Sequence, residues 1–246
     1  MKKTAIAKVA LLIISTLSFT DVTAQKNIET QSLLWMRYHL TLKFNDNYQL
    51  RQEIEERTYW FPWRQHQFVA RTNLERKLGK GWNTALGFTY FVHSLPHDPN
   101  IEEYTNQTEL RPQFEFAYLQ KLNDKLNLHH RYRDEFRFFE QPDGSFKYTN
   151  NRFRYKLELQ YSPSAKIALK AFDEIHLNIG NEIVNNVFDQ NRYGGGIRYM
   201  PLKNFGVELD YMNWFQQRQS GVDFYNRHIV RFTINHIIDF TKPKNQ

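Results

Sequence analysis

Long charged side chains at every second position are the residues of this 246-residue chain that could do chemistry. In the segment RFRYKLELQY, residues 152–161, Arg152, Arg154, Lys156 and Glu158 alternate with aromatic and aliphatic residues. Guanidinium groups bind carboxylates and phosphates through two parallel hydrogen bonds, so rows of arginine are suited to contacting anions. A β-strand turns successive side chains to opposite faces, so this spacing puts all the charged groups on one face.

The same alternation extends over most of the chain and predicts its strands. About eleven segments of about 10–16 residues carry it between residues 33 and 240. Strands of soluble proteins average about five or six residues, whereas a tilted crossing of a bilayer needs about 9–11. Short turn-like breaks, as at Asn45–Asp46, alternate with longer polar connections, as at 94–104. Short turns at one end and long loops at the other are typical of outer-membrane barrels.

These segments predict an all-β fold, an antiparallel transmembrane β-barrel with short periplasmic turns and longer extracellular loops. Aromatic residues crowd the segment ends, as Tyr59, Trp60 and Trp214 do, which suits girdles at the two membrane interfaces. A soluble lipocalin-like barrel or β-sandwich with the alternation inverted is the alternative. Bacterial single-chain barrels have even strand numbers, so we expect about 12 strands, with a short one in Lys26–Ser32, or alternatively 10.

The N-terminus has the pattern of a secretory signal peptide. It has a basic start, an apolar centre and a Val22-x-Ala24 cleavage site. We therefore predict a signal peptide over residues 1–24 and a single outer-membrane β-barrel domain over residues 25–246. After residue 20 no apolar run approaches the roughly 18 residues that a membrane-spanning helix needs.

Composition narrows the classes of partner and chemistry. The chain has no cysteine, which excludes a lipoprotein anchor, a disulfide framework and thiolate chemistry. A net charge of +7 on an exported chain points to lipid headgroups and small anionic solutes as partners, and not to nucleic acid. We also expect contact with outer-membrane lipid and, during biogenesis, with the barrel assembly machinery. The sequence identifies no partner protein and indicates no cofactor.

The charged faces of the predicted strands form the lumen of such a barrel. Basic side chains outnumber acidic ones there, and rings of positive charge favour anions. The basic residues predicted to contact anions are Arg37, Arg51, Arg71, Arg111, Arg131, Arg133, Arg137, Arg152, Arg154, Lys156, Arg192, Arg198 and Arg231. Their predicted acidic partners in the lumen are Glu53, Glu55, Glu75, Glu109, Glu115, Glu135, Glu158, Glu174 and Glu208.

Two functions follow from such a lumen, and the sequence leaves both open. The favoured prediction is a narrow, anion-preferring passage. The alternative is a plugged barrel, structural or accessory to an envelope complex, in which the Arg–Glu ladders neutralise one another. Eight strands leave an interior just filled by side chains and sixteen leave a channel, so ten to twelve lie between the two cases. Unpaired charges in a confined space are costly, which favours mutual neutralisation.

An enzyme is not expected from this sequence, although a lipid-modifying hydrolase is a further alternative. Such a hydrolase needs a serine activated by a histidine near the lipid boundary. The serines after residue 24 are few and lie mostly in predicted turns or loops. His93 and Ser94 are adjacent, so on a strand they point to opposite faces. We therefore predict no catalytic residues.

One loop carries a cluster of potential metal ligands. Histidine and carboxylate groups are ligands of divalent metals, but a loop of this composition is more often simply solvated. We therefore predict no metal site there. The cluster, within residues 93–103, consists of His93, His97, Asp98, Glu102 and Glu103.

Three segments together resemble a known family. They are FDQNRYGGGIRYMPLKNFGVELDYMNWF (188–215), DEIHLNIG (173–180) and NRFRYKLEL (151–159). They resemble uncharacterised outer-membrane β-barrel proteins of Gram-negative bacteria, described as domain of unknown function 2490 (DUF2490). The N-terminal segment WMRYHLTLKFNDNYQLRQEIEER also fits the family, and the resemblance spans most of residues 30–240. It implies the barrel fold and an outer-membrane location, and it supplies no activity and no catalytic residues.

Overall fold

The strands of the protein close into one β-barrel. The structure is a computed structural model that describes residues 26–241, so the signal peptide predicted for residues 1–24 lies outside the described residues. Within that described part, no helix has the length and apolar character needed to cross a membrane. The strands are β1 (Asn27–Lys43), β2 (Tyr48–Tyr59), β3 (Arg64–Gly79), β4 (Trp82–Leu95), β5 (Thr105–Lys121), β6 (Leu126–Glu140), β7 (Phe146–Tyr161), β8 (Ile167–Ile179), β9 (Phe188–Tyr199), β10 (Phe205–Gln217) and β11 (Asp223–Asp239).

The barrel closes with an odd number of strands in the described residues. Strands that follow one another in sequence pair antiparallel, whereas β1 and β11 pair parallel, with Asn27 opposite Asp223 and Lys43 opposite Asp239. The prediction of 12 strands, or 10, is therefore wrong, because it assumed an antiparallel closure. Residues Asn27–Ser32, which were expected to contain a separate strand, are the first part of β1.

The charged face of each strand points into the barrel and the apolar face points outward. On β7 the inward Arg152 and Arg154 are buried, whereas the outward Phe153 is 46% exposed. The outward Leu86 and Tyr90 of β4 are exposed in the same way. A soluble barrel keeps its apolar face inside, so this arrangement does not fit the lipocalin-like alternative. The interior is instead built of ion pairs and hydrogen bonds between strands.

The two ends of the barrel differ in the length of their connections. At one end, the turn end, the connections are short, as at 80–81 between β3 and β4. At the other end, the loop end, two of the five are clearly longer, namely 96–104 between β4 and β5 and 180–187 between β8 and β9. The other three, 60–63, 141–145 and 218–222, are about as short as the turns. The predicted alternation of short turns and longer loops is therefore present only in part.

The short β2–β3 connection leaves a gap in the wall that the β4–β5 loop covers. Because β2 ends at Tyr59, opposite Leu33, the first part of β1 has no partner on that side. Gln31 Nε2 of this part donates a hydrogen bond to the carbonyl of His97, at 2.8 Å. Arg64 Nη2 donates to the carbonyl of Pro96 at 2.9 Å. The loop is thus tied to β1 and β3 across the gap.

Replacing Gly194 of β9 by alanine is expected to destabilise the barrel by about 1–3 kcal/mol, the usual cost of overpacking. A Cβ atom at this position would lie 2.7 Å from Met212 Cα on β10, so the two strands would have to separate. The urea midpoint of the refolded barrel measures the effect. An unchanged midpoint would contradict the close approach of β9 and β10.

Candidate functional site

A cavity of about 950 Å³ occupies the inside of the barrel. It is lined by 14 arginine and lysine side chains and by 7 aspartate and glutamate side chains. The lining begins at loop-end residues such as Gln141 and Glu182 and reaches Lys170 and Glu208, which lie near the turn-end starts of β8 and β10. The cavity therefore opens toward the loop end and extends to the strand starts near the turn end.

The structure divides the predicted site residues into three groups. Those that line the cavity are Arg37, Glu53, Glu55, Arg71, Arg111, Arg131, Arg133, Arg137, Arg152, Arg154, Lys156, Glu174, Arg192, Glu208 and Arg231. Three carboxylates, Glu109, Glu115 and Glu135, are buried behind the arginines that line it. Nearer the turn end, outside the cavity lining, lie Arg51, Glu75, Glu158 and Arg198.

Glu135 of β6 is the most heavily shared of these carboxylates. It is fully buried and lies 2.6 Å from an Nη atom of Arg152 and 2.6 Å from Nη1 of Arg154. Nη1 of Arg133 is 3.5 Å away, and Nη1 of Arg111 is 4.0 Å away. One negative charge therefore holds four guanidinium groups around it, and each of them also reaches a second carboxylate: Glu109, Glu115, Asp189 or Glu174.

Glu109 of β5 repeats this arrangement nearer the loop end. It lies 2.6 Å from Arg111 Nη2, 2.6 Å from Arg137 Nε and 2.8 Å from His93 Nε2. Glu115 does the same deeper in the barrel, with Arg133 Nη2 at 3.0 Å. Buried carboxylates shared in this way hold extended arginine side chains in place, because each guanidinium is fixed by charged hydrogen bonds.

Ion pairs at the deep end of the cavity link side chains along the arc of the wall from β8 to β1, and we call this group the floor. Lys170 Nζ lies 2.6 Å from Glu208 Oε1, and Arg37 Nη2 is 3.3 Å from the same oxygen. Arg231 Nη2 lies 2.7 Å from Asp210 Oδ2. These five residues come from four strands, β1, β8, β10 and β11. The floor therefore lies between the rest of the cavity and the turn end.

A group of aromatic residues inside the barrel was not predicted from the sequence. Trp214 and Tyr59 were expected in the interfacial girdle, but both are buried inside, next to Trp35. Arg57 Cζ stacks 3.8 Å from the centre of the Trp35 ring, and Arg192 Cζ lies 4.4 Å from that of Trp214. Cation–π contacts of this kind are stronger when water is excluded. The inward direction of these rings could have been found from the sequence, because Trp35 and Trp214 fall on the same alternate positions of their strands as the inward charged residues.

The loop residues considered as metal ligands do not come together. His93 contacts Glu109, whereas the His97 ring packs 4.9 Å from the ring of His66. Burial and the positive charge of Arg227 lower the pKa of His97 to about 2, so the ring is neutral. Nowhere in residues 26–241 is there a group of three or more His, Cys, Asp or Glu side chains arranged to hold a metal ion.

Residues 33–226 match the family described as "Protein of unknown function (DUF2490)". The chain belongs to this family. The match runs from β1 into β11, so the resemblance predicted from the sequence is confirmed. No curated protein matches this chain.

Among solved structures, this DUF2490 barrel is similar to one titled "NanC porin structure in rhombohedral crystal form". The TM-score is 0.50 at 12% sequence identity, and the alignment covers 82% of this chain and 96% of that chain. The fold is therefore a porin-like β-barrel. Because the family description names no activity, the function has to be argued from the cavity.

Proposed function

We propose that this DUF2490 protein is an outer-membrane barrel that forms a narrow, anion-preferring passage. The observation that carries the proposal is the twofold excess of basic over acidic side chains around the cavity. A confined region lined by one sign of charge raises the local concentration of the opposite ion. The porin-like fold and the outward apolar face of the strands support a position in a membrane.

The difference between the two ends supports one orientation in that membrane. Short turns face the periplasm and longer loops face the outside in barrels of this class. In this orientation the mouth of the cavity opens to the external medium and the floor lies toward the periplasm. Solutes would enter among the loops, meet the arginine-lined region and pass the floor last. The proposal contains no catalytic step.

A plugged barrel, structural or accessory to an envelope complex, is the second candidate. The floor favours it, because its basic and acidic groups neutralise one another at the deep end of the cavity. Breaking such a buried pair leaves an uncompensated charge, so the layer resists opening. Passage through the barrel requires the floor side chains to leave room for hydrated ions or to move.

Conductance of the refolded mature chain in a planar bilayer under a KCl gradient tests the proposal. We expect discrete conductance steps and a reversal potential that favours chloride. A barrel that folds, as judged by heat-modifiable gel mobility, but stays silent would contradict the passage and support the plugged barrel. Lys147→Gln is the control for charge outside the lumen, because Lys147 is an exposed loop-end residue paired with Glu182. This variant should keep the selectivity of the parent.

A further inference from the structure

Four hydrogen-bond donors without acceptors lie on side chains of one wall of the cavity. Among residues 26–241, Arg192 Nε, Arg227 Nη2, Trp35 Nε1 and Trp214 Nε1 are buried and have no hydrogen-bond partner. The four side chains touch one another, since Arg192 Cζ and Arg227 Cζ each lie 4.4 Å from the centre of the Trp214 ring. The Trp35 and Trp214 rings meet edge to face, 6.0 Å apart. Buried donors are normally paired, so four orphan donors on side chains packed around Trp214 indicate missing acceptors.

Arg192 is the cation of this group that lines the cavity. It is only 9% exposed, and among residues 26–241 no carboxylate lies within 4 Å of its guanidinium. Its one hydrogen bond to another side chain goes from Nη2 to Gln190 Oε1, at 3.4 Å. By contrast Arg154, its neighbour on the inner surface, touches both Glu135 and Glu174.

Arg227 of β11 is opposite Trp214 on the side away from Arg192 of β9, and it adds a second cation without a carboxylate partner within 4 Å. It is fully buried, and it donates from Nε to Gln31 Oε1 at 2.7 Å and from Nη1 to Gln216 Oε1 at 2.6 Å. These acceptors are neutral amides. The wall formed by β1, β9, β10 and β11 therefore holds two buried guanidinium groups that form no ion pair within 4 Å in the described chain.

We propose that this wall is a binding site for the carboxylate or phosphate group of a small organic solute, centred on Arg192. An unpaired buried cation is costly, and an oxyanion would supply both the charge and the acceptors that the orphan donors lack. The proposal rests on the function proposed above, because it names the class of solute that the passage would take.

The chemistry of the donors favours an oxyanion over a halide ion. A guanidinium offers parallel N–H groups in a planar fork that matches two oxygens of a carboxylate or phosphate. Arg192 Cζ lies 4.4 Å from the centre of the Trp214 ring and 5.4 Å from that of Trp35, and its Nε has no acceptor among residues 26–241. The cavity, at about 950 Å³, is of the size of sites that enclose whole organic molecules.

Binding is tested on the refolded barrel by the tryptophan fluorescence that Trp35 and Trp214 contribute, titrated with acetate and with inorganic phosphate. We expect saturable binding of at least one of them, with chloride and neutral acetamide binding at least about tenfold more weakly. A preference for acetate would identify carboxylate solutes, and a preference for phosphate would identify phosphorylated ones. Failure of both oxyanions to bind would overturn the proposal.

Arg192→Gln is expected to weaken this binding at least about tenfold, since a charge-assisted hydrogen bond is lost. Arg218→Gln is the matched control: it removes the same charge from an exposed residue that also lines the cavity mouth, and binding should stay within about twofold. Equal losses in the two variants would show only a diffuse charge effect and would overturn the site.

Trp214→Phe is the second test, because it keeps an aromatic platform beside Arg192 and removes only the orphan indole N–H. We expect a smaller loss than for Arg192→Gln, measured by calorimetry with the same two anions. Unchanged binding in both variants would place the anion elsewhere. Saturable binding by a barrel that never conducts would support the site and contradict the passage. Anion-selective conductance without saturable binding would do the reverse.

Discussion

Glu135→Gln is expected to lower the free energy of unfolding of the barrel by about 3–5 kcal/mol. This is the usual cost of removing one partner from a buried ion pair. The change keeps the shape of the side chain and removes the charge that Arg152 and Arg154 contact at 2.6 Å. Arg133 and Arg111 lose the same partner at longer range. Urea unfolding of the refolded barrel, followed by gel mobility, measures the loss.

Glu182→Gln is the matched control for this prediction. Glu182, like Glu135, is a paired carboxylate, because it lies 2.7 Å from Lys147. Unlike Glu135, it is exposed: the Glu182 side chain is 53% exposed and that of Lys147 is 59% exposed. Exposed pairs contribute little, so we expect a change within about 0.5 kcal/mol. If the two variants unfolded at the same urea concentration, the carboxylates behind the arginines would not be what holds the interior together.

The triple variant Arg131→Gln, Arg133→Gln and Arg152→Gln is expected to reduce the anion preference of the passage by roughly half. The triple change leaves 11 basic side chains around the cavity against the same 7 acidic ones. Glu135 retains Arg154 and Glu115 retains Arg51, while Asp189 loses its ion pair with Arg152 and keeps the hydrogen bond from Gln216. The variant should therefore fold, and the reversal potential under a KCl gradient should move toward zero.

The same variant separates the two proposed functions. A passage whose selectivity comes from these arginines keeps its conductance and loses preference. A plugged barrel instead starts silent and begins to leak, or loses stability, when the arginines that fill it are shortened. A conducting variant with the selectivity of the parent would show that Arg131, Arg133 and Arg152 do not select ions.

The alternation of polar and apolar residues in the sequence predicts which face of the sheet each side chain points to. It does not predict which side chains form ion pairs or hydrogen bonds with one another. Arg154 and Arg192 have the same alternation and both face inward, yet only Arg154 meets carboxylates. Partners depend on the register of strands distant in sequence, which the pattern of one strand does not contain. The bulge after Arg57 illustrates the limit, because it turns both His66 and Gln67 of β3 inward.

The strand count was missed for a related reason. Eleven segments alternate in the sequence, but alternation within a strand does not show how the first strand pairs with the last. The prediction relied on the even strand numbers of bacterial barrels, and the parallel pairing of β1 with β11 departs from that rule. The floor likewise joins residues of four strands, and the sequence of a single strand does not predict such ion pairs.

The parallel seam between β1 and β11 has a consequence for the order in which the barrel forms. Each hairpin can pair as soon as its second strand is available, but Asn27 meets Asp223 only across 196 positions of chain. Closing so long a loop is slow, and until then the edges of β1 and β11 carry unpaired backbone groups open to other chains. The seam should therefore be the last contact to form and the step most exposed to aggregation.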